Sequence, residues 1–118
     1  MTNSEIVNRT FKFAADIIDL NEKLNADKHY VLAKQVLRSG TSVGANVREA
    51  QRAVSRADFI NKMGIALKEA EETAYWMELI NFKVFRIDQQ LNDQLTIITR
   101  LLVKIITTSK MNNGDSQK

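Results

Sequence analysis

Few residues of this 118-residue chain have the type and spacing that catalysis or metal binding requires. The single histidine, His29, has no acidic residue three positions before it, whereas a di-iron site in a helical bundle uses Glu-x-x-His pairs on two helices. Cysteine is absent, so disulfides and thiolate metal sites are both excluded. The sequence therefore predicts no metal site and no bound cofactor.

One short segment is acidic because it contains Glu69, Glu71, Glu72 and Glu78. Two buried carboxylates with unequal pKa values could perform acid–base chemistry. However, no histidine is placed to activate a serine, and no glycine-rich phosphate loop follows a strand pattern. We therefore predict that the chain is not an enzyme and has no small-molecule substrate. Glu69 and Glu72 are expected to lie on a solvated or subunit-facing surface.

Four cations recur on one side of a predicted helix, and we call them the basic stripe: Lys34, Arg38, Arg48 and Arg52. At about 100° per residue they lie within an arc of about 80°, and in a continuous helix they span roughly 27 Å. Such a row suits a phosphate backbone, because each neutralised phosphate releases counterions. The pattern predicts contact with RNA or DNA. The alternative is a solvated helix face on which Glu49 pairs with Arg52 or with an adjacent subunit.

The charges are also segregated along the chain. Residues 34–68 contain seven cations and two anions, whereas residues 69–78 contain four anions and no cation. Opposite surfaces on one small protein can meet head to tail between subunits and close a ring. Self-association is therefore a second use that the sequence allows for the same charges.

The elements that position these residues are predicted to be helices. Proline is absent and glycine occurs only four times, which argues against the many turns of a sandwich or barrel. Apolar residues repeat at helical spacing over about 4–24, 28–53, 56–85 and 89–109. Because the connections are short, we expect an all-α, antiparallel up-and-down four-helix bundle that forms a single domain over 1–110. The polar tail, 111–118, is expected to be disordered.

Polar residues at the predicted helix starts are expected to act as N-caps. Asp27 precedes the second helix, Ser55 and Asp58 form a variant of the capping box before the third, and Asp88 precedes the fourth. The segment 39–46 contains two glycines and could be a loop, but apolar residues keep the helical period through it. We predict a continuous helix there, with the glycines allowing a neighbouring helix to approach closely.

Tyr75 and Trp76 form the most notable aromatic pair. At helical spacing, one ring is expected to face the core and the other a neighbouring helix or subunit, and stacking on a ligand is the alternative. Trp76 follows Glu72 by one helical turn. Its indole N–H is therefore expected to find an acceptor there or across an interface.

Three segments carry a resemblance to a known family: RSGTSVGANVRE (38–49), SRADF (55–59) and ALKEAEETAYW (66–76). They resemble the bacterial four-helix-bundle family first noticed as proteins encoded in intervening sequences of 23S ribosomal RNA genes. The resemblance covers about residues 5–108. The Ser-x-x-x-Asn-x-x-Glu core of that family matches Ser42, Asn46 and Glu49, and Ala50 departs from the glycine that commonly follows it.

The resemblance implies a homopentameric barrel of antiparallel four-helix bundles. It also implies kinship with the accessory variability proteins of diversity-generating retroelements, which bind nucleic acid and a reverse transcriptase through basic surfaces. On this basis, the residues expected at oligomer or inter-helix contacts are Ser42, Asn46, Glu49, Glu72, Tyr75 and Trp76. We expect the first three to form hydrogen bonds across a helix or subunit contact and to fix its register.

Together these patterns predict a cytoplasmic, bacterial, homo-oligomeric bundle that binds nucleic acid without sequence preference through the basic stripe. The alternative is a structural adaptor that recruits a protein partner, such as a reverse transcriptase, without touching nucleic acid. No membrane contact is expected, because no apolar run approaches the roughly 20 residues of a membrane span. Residues 1–5 also lack the pattern of a signal peptide.

Overall fold

The computed structural model describes residues 3–116, with side chains described through Asn112. Its four helices are α1 (Ser4–Ala26), α2 (Tyr30–Ala50), α3 (Arg56–Lys83) and α4 (Gln89–Ser116). α1 and α3 each pack against both α2 and α4. Short connections make successive helices antiparallel, so the chain forms an up-and-down bundle with principal extents of 55 × 21 × 20 Å. This confirms the predicted all-α fold.

The core is built from one apolar face of each helix. α1 buries the five residues whose spacing predicted its inward face: Ile6, Phe13, Ile17, Leu20 and Leu24. α4 buries Leu91, Leu95, Ile98 and Leu102, which alternate at spacings of four and three. Because α1 and α4 lie side by side, their two apolar faces share one continuous core.

Three buried hydroxyls, which the apolar pattern did not predict, complete the core: Thr10, Ser39 and Thr73. Thr10 donates to the carbonyl of Ile6 at 2.8 Å within α1. Ser39 on α2 and Thr73 on α3 meet across the helix interface, with their hydroxyl oxygens 2.9 Å apart. A buried pair of this kind favours one register of α2 against α3, because a shifted register would break the hydrogen bond that joins the two helices.

α2 is continuous through residues 39–46, as its apolar period predicted. The two glycines lie where α2 meets α1. A Cβ atom on Gly40 would stand 2.9 Å from both Cγ1 and Cγ2 of Ile17, and one on Gly44 would stand 3.2 Å from the Thr10 carbonyl oxygen. The absence of side chains at these two positions therefore sets how closely α1 and α2 approach.

The helix starts confirm two of the predicted caps. Ser55 accepts a hydrogen bond from the Asp58 amide at 3.0 Å, and the Asp58 carboxylate accepts one from the Val54 amide at 3.2 Å. Asp88 accepts one from the Gln90 amide at 3.0 Å at the start of α4. These side chains satisfy amides that have no carbonyl partner within the first turn.

The prediction that Asp27 caps α2 is wrong. Asp27 is instead the C-cap of α1, and α2 begins after His29, which is exposed and makes no side-chain cap bond. The Lys28 amide bonds to the Asn25 carbonyl at 2.9 Å and the His29 amide to the Leu24 carbonyl at 2.8 Å. This is a Schellman ending, in which Lys28 takes the left-handed conformation, with φ of 66°, that glycine usually adopts.

Two helix ends also differ from the predicted bounds. α2 ends at Ala50 rather than near 53, so Arg52 lies in the following turn. α4 continues to Ser116 rather than ending near 109. The predicted disordered tail is thus helical through Ser116, and its last two residues lie outside the described part of the chain.

Candidate nucleic-acid interface

The basic stripe lies along the solvent-facing side of α2, but its members have different surroundings. Lys34, Arg38 and Arg48 are exposed on the helix, and Arg52 is exposed in the turn that follows it. Arg38 leans towards α3, where it donates to Glu69 at 3.3 Å and also to Glu72. The bond to Glu72 raises the pKa of Arg38 above its ordinary value. Arg38 is therefore engaged within the chain.

Arg48 leans the other way, towards α1. Its guanidinium carbon stands 5.1 Å from the centre of the Phe11 ring, within the range of a cation–π contact. None of the other three cations, Lys34, Arg48 and Arg52, forms an ion pair with a side chain described through residue 112. The predicted pair between Glu49 and Arg52 is therefore absent within the described chain. Three cations of the basic stripe remain available to an anionic partner.

Glu72 connects α2 to the aromatic pair on α3. Its Oε2 atom accepts hydrogen bonds from the Trp76 indole at 2.9 Å and from Arg38. These two donors, the indole first, lower the pKa of Glu72 below its ordinary value. The predicted bond between Trp76 and Glu72 is confirmed. Trp76 is half-buried against the core, whereas Tyr75 is exposed. The two rings contact each other edge to face, with their centres 5.2 Å apart.

We expect acid to disturb Trp76 only below the ordinary pKa range of glutamate. Because the pKa of Glu72 is lowered in the folded protein, its stabilising effect is present above the unfolded value of about 4.3 and is lost as the pH falls through the lower folded value. Trp76 is the only tryptophan, so its fluorescence reports on this site. Its emission should stay constant down to about pH 4.3 and change below it.

Glu72→Gln should abolish that acid transition, and Glu71→Gln is the matched control because Glu71 is a neighbouring exposed glutamate. Far-ultraviolet circular dichroism at each pH would separate local titration from unfolding. A transition centred above about pH 4.3, or one that survives in Glu72→Gln, would contradict the assignment.

Ser42 and Asn46, expected to bridge helices, instead form hydrogen bonds within α2. Ser42 donates to the Arg38 carbonyl at 2.6 Å, and Asn46 donates to the Ser42 carbonyl at 2.9 Å. The nearby Glu49 is exposed. Within the described chain, the side-chain hydrogen bonds between α2 and α3 join Ser39 with Thr73 and Arg38 with Glu69 and Glu72. A role for Ser42, Asn46 and Glu49 between subunits stays a prediction.

A groove with a volume of about 280 Å³ lies between α1 and α4. Its Asp16 accepts hydrogen bonds from Lys12 at 2.8 Å and from Gln94 at 2.9 Å, and these donors lower the pKa of that carboxyl. Asp16 is thereby held as a carboxylate.

In the described part of the chain, no three His, Cys, Asp or Glu side chains gather as a metal site would require. No described helix is long and apolar enough to cross a membrane.

One side chain that the sequence reasoning did not single out is Phe11, which is 62% exposed beside Arg48. The sequence could have indicated it in one way: Phe11 is a large apolar residue that does not share the inward face of α1 defined by Ile6, Phe13 and Ile17. A large apolar side chain on the outward face has no partner within the predicted core. The other missed feature is the pairing of Arg38 with the acidic segment. This pairing forms because α2 and α3 lie side by side, and helical periodicity in the sequence does not predict which helices are neighbours.

The chain is similar to proteins of one family over most of its length. A family model described as 23S rRNA-intervening sequence protein matches residues 2–108. A solved structure from Bacteroides thetaiotaomicron VPI-5482, a protein with unknown function from the S23 ribosomal protein family, is 47% identical to this chain with a TM-score of 0.85. The match covers 91% of this chain and 99% of that one. No curated protein matches the sequence.

Proposed function

The chain belongs to the 23S rRNA-intervening sequence protein family, and we propose that it is a bacterial, cytoplasmic homo-oligomer that binds RNA or DNA without sequence preference. The observation that carries the nucleic-acid part is the set of three cations, Lys34, Arg48 and Arg52. They are exposed on one side of α2 and its following turn, and none of them forms an ion pair in the described part of the chain. A phosphate backbone is the partner that suits such a row, whatever its sequence.

Self-association is supported by the outward side of α3. Tyr75 and Phe82 are 54% and 82% exposed, and they lie two helical turns apart on one side of α3, where they alternate with the exposed glutamates Glu71 and Glu78. Large aromatic side chains in such a row are typical of a surface that another protein covers. A second copy of the chain is the partner we propose, and the pentamer implied by the family resemblance is the assembly.

The same aromatic row supports a second candidate function. If it docks a different protein rather than another copy, the chain is a structural adaptor, for which a reverse transcriptase is the partner suggested by the family resemblance. The two functions differ in salt response. Binding through phosphates weakens steeply as salt rises, whereas docking on exposed aromatic side chains does not.

The first experiment is solution mass by light scattering, with and without a short structured RNA, at about 50 mM and about 200 mM salt. We expect an oligomer that gains mass with RNA at the lower salt and loses that gain at the higher salt. An oligomer indifferent to RNA at low salt would overturn the nucleic-acid proposal and favour the adaptor. A monomer would overturn the proposed assembly.

A further inference from the structure

The groove between α1 and α2 combines an exposed aromatic ring with an unpaired cation. It has a volume of about 240 Å³, a floor of small residues that includes Ala14, Gly44 and Ala45, and rims that include Phe11 and Arg48. No long side chain rises from this floor, and the two helices lie close together there, since a Cβ atom on Gly44 would stand 3.2 Å from the Thr10 carbonyl oxygen. The groove is therefore open to a planar group lying against the ring.

The packing of α1 against its neighbours leaves most of the Phe11 side chain exposed to solvent. The side chain is 62% exposed, and its one aromatic or cationic contact among the described residues is Arg48, with the guanidinium carbon 5.1 Å from the ring centre. A second exposed ring, Tyr30, lies at the first residue of α2, the helix that also carries Lys34. Rings interleaved with unpaired cations are typical of surfaces that hold unpaired bases, since every base has a face that can stack.

We propose that this groove is a binding site for single-stranded nucleic acid, in which an unpaired base stacks on the Phe11 ring, an adjoining phosphate contacts Arg48, and phosphates further along the strand contact Lys34 and Arg52. This inference rests on the proposed function and narrows its ligand from nucleic acid in general to single strands with unpaired bases. A duplex can offer phosphates to the three cations, but its bases are already stacked and paired. Contact with a ring in a shallow groove therefore selects bases that are free to turn outwards.

A second copy of the chain is the competing occupant, since its acidic α3 also complements Arg48. The contacts within the chain make it the weaker choice. Glu69 and Glu72, half of the acidic segment, already pair with Arg38 of the same chain. Only the other two acids of that segment, Glu71 and Glu78, are left to meet a cation of a second copy without breaking the Arg38 pairs. We therefore assign the groove to nucleic acid, and the test includes the second copy as an outcome.

The test is fluorescence anisotropy with a labelled oligouridylate of about 12 nucleotides and with a duplex of equal phosphate number, at about 50 mM salt. Phe11→Leu keeps an apolar side chain but removes the ring, and it should weaken oligouridylate binding at least about 5-fold. Phe11→Tyr should bind close to wild type. Met111→Ala is the matched control, because Met111 on α4 is an apolar side chain as exposed as Phe11, at 64%, and lies in neither proposed binding surface. Duplex binding should not respond to any of the three variants.

Several results would overturn the site. Unchanged oligouridylate binding in Phe11→Leu, or an equal loss for oligouridylate and duplex, would remove the role of stacking while leaving the proposed function intact. A fall in solution mass in Phe11→Leu, measured by light scattering, would show that a second copy occupies the groove. Failure of the wild-type protein to bind either probe at low salt would overturn the proposed function and this inference together.

Discussion

Reversing the charge of Arg48 and Arg52 together, as Arg48→Glu with Arg52→Glu, should weaken RNA binding by at least about 30-fold at about 50 mM salt. Both side chains are exposed and form no ion pair in the described chain, so the substitutions break no salt bridge of the bundle. The contact that they remove is that of Arg48 with the exposed Phe11 ring. Each lost phosphate contact should lower the slope of log affinity against log salt by about 0.9 for a duplex. The double variant should therefore flatten that slope by about two.

The matched control is Arg100→Glu with Lys104→Glu on α4. α2 and α4 lie at opposite corners of the bundle, since each packs against α1 and α3. Both double variants reverse two charges and so lower the formal net charge from +3 by four, to −1. If binding depends on the basic stripe, only the α2 variant should lose affinity. Equal losses would show that overall charge decides the binding, and a larger loss in the control would move the interface to α4.

Arg38 is predicted to behave differently from the other members of the basic stripe. Its guanidinium is held by Glu69 and Glu72, so a phosphate would have to displace two carboxylates that are already in contact. For this reason, the charge-reversal variant changes only Arg48 and Arg52 and keeps Arg38. Reversing Arg38 would place a third carboxylate beside those two and confuse lost binding with a disturbed interface between α2 and α3.

The second large effect concerns the contact of α1 with α2. Gly40→Ala should lower the free energy of unfolding by about 1–2 kcal/mol, because the new Cβ would stand 2.9 Å from two γ carbons of Ile17. Ile17 is fully buried and β-branched, so its side chain has no free rotamer to adopt. The gain of about 1 kcal/mol in helix propensity on replacing glycine offsets only part of this clash.

Gly64→Ala is the matched control and should have the opposite sign. Gly64 also lies inside a helix, α3, but a Cβ added there meets no atom within 4 Å. Only the propensity gain remains, so this variant should be more stable by about 0.5–1 kcal/mol. Urea denaturation followed by Trp76 fluorescence, at one fixed protein concentration, would measure both. Gly40→Ala as stable as wild type, or a destabilised Gly64→Ala, would contradict this account of the glycines.

Much of the fold follows from local sequence. The apolar spacing of α1 and α4 placed their inward faces correctly, because a helix repeats its side-chain directions every 3.6 residues whatever packs against it. Ser55 and Asp88 were identified as caps because a cap bonds to an amide only two or three residues away. The continuity of α2 through Gly40 and Gly44 was predicted from the same periodicity.

The local errors also have physical causes. Asp27 has the chemistry of an N-cap, but α1 ends in a Schellman motif that uses Lys28 in a left-handed conformation. No glycine marks that ending in the sequence, so the motif was not recognised. On the inward face of α3, the apolar pattern did not predict that Thr73 is buried. A hydroxyl reads as polar in a sequence, yet Thr73 is buried because Ser39 and the Glu69 carbonyl give it partners.

The sequence by itself determined the four helices, the inward faces of α1 and α4, and the position of Lys34, Arg38 and Arg48 on one side of α2. Only the tertiary structure decided what each cation does. Arg38 is bound to α3 and Arg48 lies over Phe11 of α1, whereas Lys34 and Arg52 form no ion pair in the described chain. The reason is that backbone geometry sets the direction of a side chain along its own helix. Its charge or ring partner belongs to another helix, 31 or 34 residues away for Arg38, and comes within reach only when the bundle closes.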